Sequence, residues 1–359
     1  MTRSELLRLR LRSQRAIGAR HETPADVVSW LGAVQSQDYA AAKWALAQRV
    51  ATTSDAAIDE VFSAGAILRT HVMRPTWHFV APADIRWLVQ LTGPRVNAMC
   101  AGYYRKMEID SRVVVKSHRT IERALGAGRY LTRAAIAEAL RKTGVLRASD
   151  GPLRVSFLVM RAELDGLICS GPRQGKQFTY ALMEERVPRA RPLSRDQALA
   201  AHVARYFISH GPAAVKDFVW WSGLTAADTR TGLEIVAHAL ERIEVDGTPY
   251  WMARDMPAEA VSARDAFLLP VYDEALLSYR DNREGPAGKM KQMTQDNGQT
   301  VVVGGRAVGT WRRTIGRKVV TVDVRPFEPL SARERRAIEP VVARYGAFLG
   351  VPAIVAYRR

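Results

Sequence analysis

The sequence predicts an α+β chain of about three tandem winged helix-turn-helix modules followed by a small β-barrel-like module. A pattern of amphipathic helices leading into a two-stranded ribbon occurs about three times before residue 260. From about residue 265 the helical periodicity gives way to short valine-rich runs with tight glycine turns. A net charge of +17 over 359 residues suits a chain that lays several modules on one polyanion. The expected boundaries are 1–125 for the first module, 126–190 for the second, 191–260 for the third and 261–359 for the β-rich module with its terminal helix.

Residues near 4–17 predict a short basic helix, with Leu6, Leu7, Leu9 and Leu11 interleaved with arginines. Thr23-Pro24 starts a second helix, since threonine suits the N-cap and proline the first helical position. Val27, Trp30, Leu31 and Val34 fall at helical spacing. Gln35-Ser36-Gln37-Asp38-Tyr39 follows directly. Residues i and i+2 do not face each other on a helix, but they do in extended chain. If Gln35 and Gln37 act together, the backbone must leave the helix there and aim two neutral amides at one point. A solvated connection is the plain alternative. Asp38 either caps a helix from Tyr39, the favoured role, or supplies a carboxylate beside the glutamines. Tyr39 either stacks on a ligand or packs, and Trp44 is expected in the core.

Ser54 caps a further helix that Gly65 ends. Residues 67–72 and 76–80 read as strands around a Met73-Arg74-Pro75 turn. Alternation places Arg69 and His71 on one face. Arg74 is expected at the wing tip, where phosphate is met, with His78 on the return strand and Trp77 packing. In the second module Thr132 caps a small-residue helix, and Arg133 just inside it is a phosphate candidate. Residues 152–164 form the next helix, with Leu153, Phe157, Met160 and Leu164 on one face. A hairpin then turns through Gly171–Lys176, carrying Arg173 and Lys176. The third module holds helices at 195–209, 213–221 and 226–240 and a hairpin turning at Asp246-Gly247, a strong turn signal. Beyond it, Val301–Val303 and Ala307–Trp311 pair around Gly304-Gly305-Arg306, further strand runs through Arg312 and Arg313 to Val324, and a helix spans about 331–349.

The charge speaks for partners, with nucleic acid first. The chain has only two cysteines, Cys100 and Cys169, both in apolar or small-residue surroundings where burial is expected. No CxxC or His/Cys cluster has zinc spacing, so neither disulfide scaffold nor metal is expected, and no cofactor. The N-terminus has no long apolar run and no segment reaches membrane-spanning length, so a cytoplasmic, nucleoid-associated location is expected.

The chain resembles the bacterial winged-helix DNA glycosylases of the AlkZ and YcaQ type. The resemblance rests on residues 34–44 around Gln35-Ser36-Gln37, on residues 68–80 from Leu68-Arg69-Thr70-His71 to Phe79-Val80, and on Leu269-Pro270-Val271-Tyr272-Asp273-Glu274 through Tyr279-Arg280. It implies tandem winged helices wrapped around damaged double-stranded DNA and a catalytic Gln-x-Gln or Gln-x-Asp in the first module. It also implies action on alkylated purines or interstrand cross-links. Gln35 and Gln37 match the Gln-x-Gln version, which points to the cross-link-unhooking branch. Ser36 departs from the apolar residue expected between them.

The chemistry narrows the substrate. Glutamine cannot protonate a leaving base at neutral pH, so an unmodified purine is a poor substrate. An N7-alkylated purine is already cationic, and its departure moves positive charge to the sugar. The site then needs a held water and oriented dipoles, which two amide oxygens supply. Activity should vary little with pH near neutrality. No lysine stands at the motif, so no lyase step is expected, making the enzyme a monofunctional hydrolase of N-glycosyl bonds. The competing reading is a non-catalytic winged-helix DNA-binding protein, a regulator or lesion-recognition factor. A regulator is usually dimeric, whereas three modules in one chain need no partner, so a monomer is expected. A generic RNA-binding protein is a remote third reading, since no RNA-binding motif is present.

Overall fold

The computed structural model describes residues 3–255, 262, 264–280 and 299–358. The expected boundary at 260/261 lies outside the described residues, as do Met1 and Thr2 of the N-terminal run.

The N-terminal helix α1 (Arg3–Ser13) is basic but not solvated. Arg10 is buried, donating to Pro212 O at 3.0 Å and lying 3.7 Å over the Tyr279 ring. Helix α2 (Pro24–Leu31) starts where its cap signals place it, with Thr23 and Asp26 forming a reciprocal capping box. Gly32, at φ 80°, ends it and turns the chain into β1 (Val34–Gln35). Helices α3 (Tyr39–Ala47) and α4 (Asp55–Ala64) follow, capped by Asp38 and Ser54, and Gly65 closes α4 in the left-handed region. Strands β2 (Leu68–Val72) and β3 (Arg74–Val80) complete an antiparallel sheet in the order β1-β3-β2, with Val34 opposite Phe79 and Gln35 opposite His78.

The turn between β2 and β3 differs from the expected one. Only Met73 lies outside the strands, at φ 62°, and Arg74 already pairs with Val72. The turn is buried: Met73 N donates to Thr92 Oγ1 at 3.1 Å, and a Cβ added to Gly223 would lie 2.3 Å from Met73 O. Neighbouring helices therefore occupy the place where a free wing tip was expected.

Helices α5 (Ile85–Met99), α6 (Ala101–Lys106) and α7 (Ser111–Leu125) fill a stretch to which the sequence reading gave no elements. Gly93 lets α5 approach closely, since a Cβ there would lie 2.5 Å from Leu164 O. Next come β4 (Leu131–Thr132), α8 (Arg133–Lys142, capped by Thr132) and α9 (Pro152–Leu164). Strands β5 (Ile168–Ser170) and β6 (Thr179–Leu182) then form a sheet ordered β4-β6-β5, and α10 (Met183–Arg186) follows. Met160 and Leu164 are buried on α9 as expected, but Leu153 is 58% exposed.

Helices α11 (Arg195–His210), α12 (Val215–Ser222) and α13 (Ala226–Val236) lead to the hairpin β7 (Leu240–Val245) and β8 (Thr248–Ala253). Asp246 and Gly247 both take positive φ, as the right-handed strand twist demands of a two-residue turn. After β9 (Ala266–Leu269) and α14 (Glu274–Leu277) come β10 (Thr300–Val303), β11 (Arg306–Ile315), β12 (Val320–Pro326), α15 (Ala332–Leu349) and β13 (Ala353–Tyr357). The sheet order is β13-β12-β11-β10-β9. Where a barrel was expected, the described sheet is open, with β9 and β13 as its edges. The closing strand β13, absent from the sequence reading, runs parallel to β12 after α15 crosses over.

The elements around the glutamine stretch pack on two sides. On one, Trp44 is fully buried, donating to Leu268 O at 2.8 Å and meeting Tyr345 edge-on at 4.8 Å. On the other side Leu68 and Val72 of β2 share a core with Tyr206, Phe218 and Trp221. Cys100 and Cys169 are buried free thiols, and burial pushes Cys169 up to about 12. Among the described residues no helix is long and apolar enough to cross a membrane.

Candidate active site

The glutamine stretch begins as an edge strand. β1 holds Gln35 in extended chain, Ser36 N continues the ladder to Trp77 O at 2.8 Å, and Gln37 lies in the bend that leads to α3. Gln35 is buried and Gln37 exposed. Gln35 Oε1 accepts from Arg74 Nη2 at 2.9 Å, and Gln37 Oε1 accepts from Trp77 N at 3.3 Å. Both amides are thus oriented by β3. Each oxygen keeps a second lone pair, and each amide keeps its NH₂ donors.

A buried carboxylate stands behind this edge. Gln35 N donates to Glu274 Oε1 at 2.8 Å, and Trp221 Nε1 donates to Glu274 Oε2 at 2.9 Å. Ser278 Oγ also donates to Oε2, and His210 Nε2 stands 3.7 Å away. Burial pushes the Glu274 carboxyl up, but His210 and the hydrogen bonds from Ser278 and Gln35 outweigh it and hold it at about 2. The group is an anion at neutral pH. Its neighbour Asp273 is equally buried, taking both Arg49 guanidinium nitrogens at 2.8 and 3.1 Å. Asp273 Oδ1 also accepts from Ala275 N and so starts α14. Glu274 had no assigned role in the sequence reading. Its signal was there: an acidic pair set among apolar residues of the third stretch carrying the resemblance.

His78 completes the inner layer. It is fully buried, and burial together with the nearby Arg74 cation lowers it to about 3. The ring is neutral. Its Nδ1 lies 2.9 Å from Thr76 O, which can only accept, so the proton sits on Nδ1 and Nε2 accepts from Arg74 Nη2 at 3.3 Å.

The other expected site residues divide by exposure. Arg69, His71 and Arg74 do not form the expected surface for phosphate. Arg69 is buried between the Trp77 and Phe178 rings, at 4.3 and 4.5 Å, and donates through Nε and Nη2 to Ser36 O. It holds the middle carbonyl of the glutamine strand. His71 shares its face as alternation requires, 4.4 Å from the Trp77 ring, but is buried against Glu163 at 2.5 Å. Arg74 is half-buried on Gln35 and Trp220 O. The strands carrying these three are covered by α9 and α12, which a single-module reading does not anticipate.

Arg173 turns back onto Asp59 at 3.3 Å and over the Tyr39 ring at 4.8 Å. Tyr39 packs, its ring against Phe62, Phe79 and Phe178 and its hydroxyl donating to Asp59 at 2.7 Å. Asp38 is the cap, accepting from Ala41 N at 2.9 Å. Arg313 is half-buried, donating to Tyr345 Oη. Arg133 (which also meets Ser156 Oγ), Lys176 and Arg312 are exposed. The nearby lysine, Lys43, is buried between Asp55 at 2.8 Å and Asp59 at 3.0 Å.

An edge strand carrying Gln35, with Gln37 just beyond it and a buried anion behind, belongs to a mixed α+β chain whose sequence matches a model for AlkZ-like DNA glycosylases over residues 28–348. The chain belongs to the AlkZ-like DNA glycosylase family, and with that come DNA as its substrate and glycosylase as its class. Among solved structures it is similar to the Streptomyces sahachiroi DNA glycosylase AlkZ, with a TM-score of 0.82, 20% sequence identity, and 99% of this chain and 100% of that chain covered. No curated protein matches it.

Proposed function

We propose that the protein is a monofunctional glycosylase that hydrolyses the N-glycosidic bond of cationic N7-alkylated purines, interstrand cross-links among them. Gln35 and Gln37 hold the attacking water. The observation that carries this reading is the fixing of both amide oxygens by β3, with the Glu274 anion behind the Gln35 backbone. As a cationic base leaves, positive charge moves to the sugar. Prearranged amide dipoles and a nearby anion favour that shift without reorganising. Neither glutamine supplies a proton, so the base must arrive charged. Lys43 is buried and engaged by Asp55 and Asp59, which supports hydrolysis without a Schiff base.

On this reading the units 1–125, 126–190 and 191–260 act as winged-helix modules of a monomer on one duplex, with 261–359 beside them. Exposed Arg133, Lys176 and Arg312 are its phosphate contacts. The test is release of base from duplex carrying N7-methylguanine or a nitrogen-mustard cross-link. Release by wild type, and its loss in the Gln35→Ala/Gln37→Ala variant, is expected. Equal release by both defeats the reading.

A further inference from the structure

The solvent face of α7 carries a cationic stripe that the glutamine site does not use. Arg112, Lys116, Arg119 and Arg123 recur at i, i+4, i+7 and i+11. With 3.6 residues per turn they fall within an arc of about 60° and extend about 16 Å along the axis. All of them are exposed, and among the described residues no acidic side chain pairs with any. Some other exposed cations are matched, Arg147 with Glu108, Lys142 with Glu138 and Arg195 with Asp228, but none of the four on the stripe is. The helix's own acid, Glu122, lies off the arc.

Like charges at this spacing repel one another by a few tenths of a kcal/mol per pair. The stripe is therefore a local cost in the free protein. The opposite face of α7 is spoken for, with Ser117, Thr120, Ile121 and Leu125 buried, α8, α9 and β6 packed against the helix, and Thr120 Oγ1 3.1 Å from Thr143 Oγ1 of the turn after α8. A helix binding a membrane surface needs its apolar face free. Here Ile121 and Leu125 are buried and Val115 is the one exposed apolar side chain of α7, whereas a regular row of cations complements the phosphates of a duplex.

We propose that the α7 stripe is a second duplex-binding surface, gripping phosphates along this helix while Gln35 and Gln37 meet the lesion. The proposal rests on the protein acting on DNA. Its test uses undamaged duplex, so it can fail while base release stands. One full-length variant carries Arg112→Gln, Lys116→Gln, Arg119→Gln and Arg123→Gln. A second carries Arg112→Lys, Arg119→Lys and Arg123→Lys. Binding to a duplex of about 30 base pairs is measured across salt concentrations. The glutamine set should lower the slope of log affinity against log salt by about 3.6 units, each of the four phosphate contacts contributing about 0.9. The lysine set should keep the wild-type slope. An unchanged slope in the glutamine set overturns the proposal, as does an equal fall in both sets. Co-sedimentation with phosphatidylserine vesicles that the glutamine set abolishes, with the duplex slope unmoved, also overturns it and assigns the stripe to a membrane.

Discussion

The backbone N–H of Gln35 donates to Oε1 of Glu274 at 2.8 Å, joining residues 239 positions apart. The bond ties the C-terminal acidic motif to the strand that carries Gln35. On the proposed function, Glu274 is a positioning residue that acts through Gln35.

Glu274→Gln keeps the shape and an acceptor but removes the charge. The expected result is a single-turnover base-release rate lowered by about tenfold to a hundredfold, below the cost of losing a direct oxyanion-hole donor. Affinity for the damaged duplex should stay near wild type. A variant with reduced affinity and an unchanged rate would mean that Glu274 only supports the fold.

Arg74 separates two roles. If it acts through Gln35 Oε1, Arg74→Ala frees the amide and leaves His78 Nε2 without its donor. Base release should then fall by about tenfold or more while the salt slope of binding stays put. If it meets phosphate, as the sequence suggested, the slope falls by about one unit and the rate at saturating DNA holds. Measuring both on one variant decides.

The local parts of this fold are legible in the sequence. Thr23, Ser54 and Thr132 cap the helices they were expected to cap, and Gly304-Gly305 turns a hairpin with both φ values positive. Capping and turn chemistry are settled within a few residues, so they can be read there. The departure of the chain from helix at Gln35 also accords with the spacing, with Gln35 in a strand and Gln37 in the bend after it. What the sequence concealed depends on distant partners. Arg69 and His71 read as surface cations because the covers that bury them, Phe178 and Glu163, come from far along the chain. Glu274 read as part of a motif without a role because its partners Gln35, His210 and Trp221 are scattered along the chain. The missed helices α5 to α7 include Gly93 and Pro94 inside α5, punctuation that argues locally against a helix.

Stability should fall with acidification well before the carboxylates titrate. His78 and His202 are fully buried and lowered from 6.5 to about 3, in both cases first by desolvation and then by a neighbouring arginine. Below about pH 6.5 the unfolded chain therefore takes up protons that the folded chain refuses. Their contribution is complete above that value and is lost as pH falls towards 3, at up to about 1.4 kcal/mol per pH unit for each histidine. Glu274, lowered from 4.5 to about 2, adds a loss of the same sign at lower pH. The thermal midpoint should drop steadily from pH 7 to pH 5. A midpoint flat over that range would place both imidazoles in contact with solvent.

The rate of the folded enzyme should behave differently. Gln35 and Gln37 do not titrate, and His78 and Glu274, lowered to about 3 and about 2, stay neutral and ionised respectively around neutrality. None of these four changes charge between pH 6.5 and pH 8.5. Single-turnover release of N7-methylguanine, corrected for the folded fraction, should vary by less than about twofold across that range, because no general acid or base is being titrated. A bell-shaped profile would place a titrating acid and base in the reaction and remove the water-holding role from the glutamines. Gln37→Ala sharpens the test, since Gln37 is exposed and its loss should leave the thermal midpoint unchanged. Gln35→Ala strips Arg74 of a buried acceptor and should cost about 1–3 kcal/mol of stability. Both should lose base release, so activity lost without stability lost, in the Gln37 variant, is the signature of an amide that acts on the substrate.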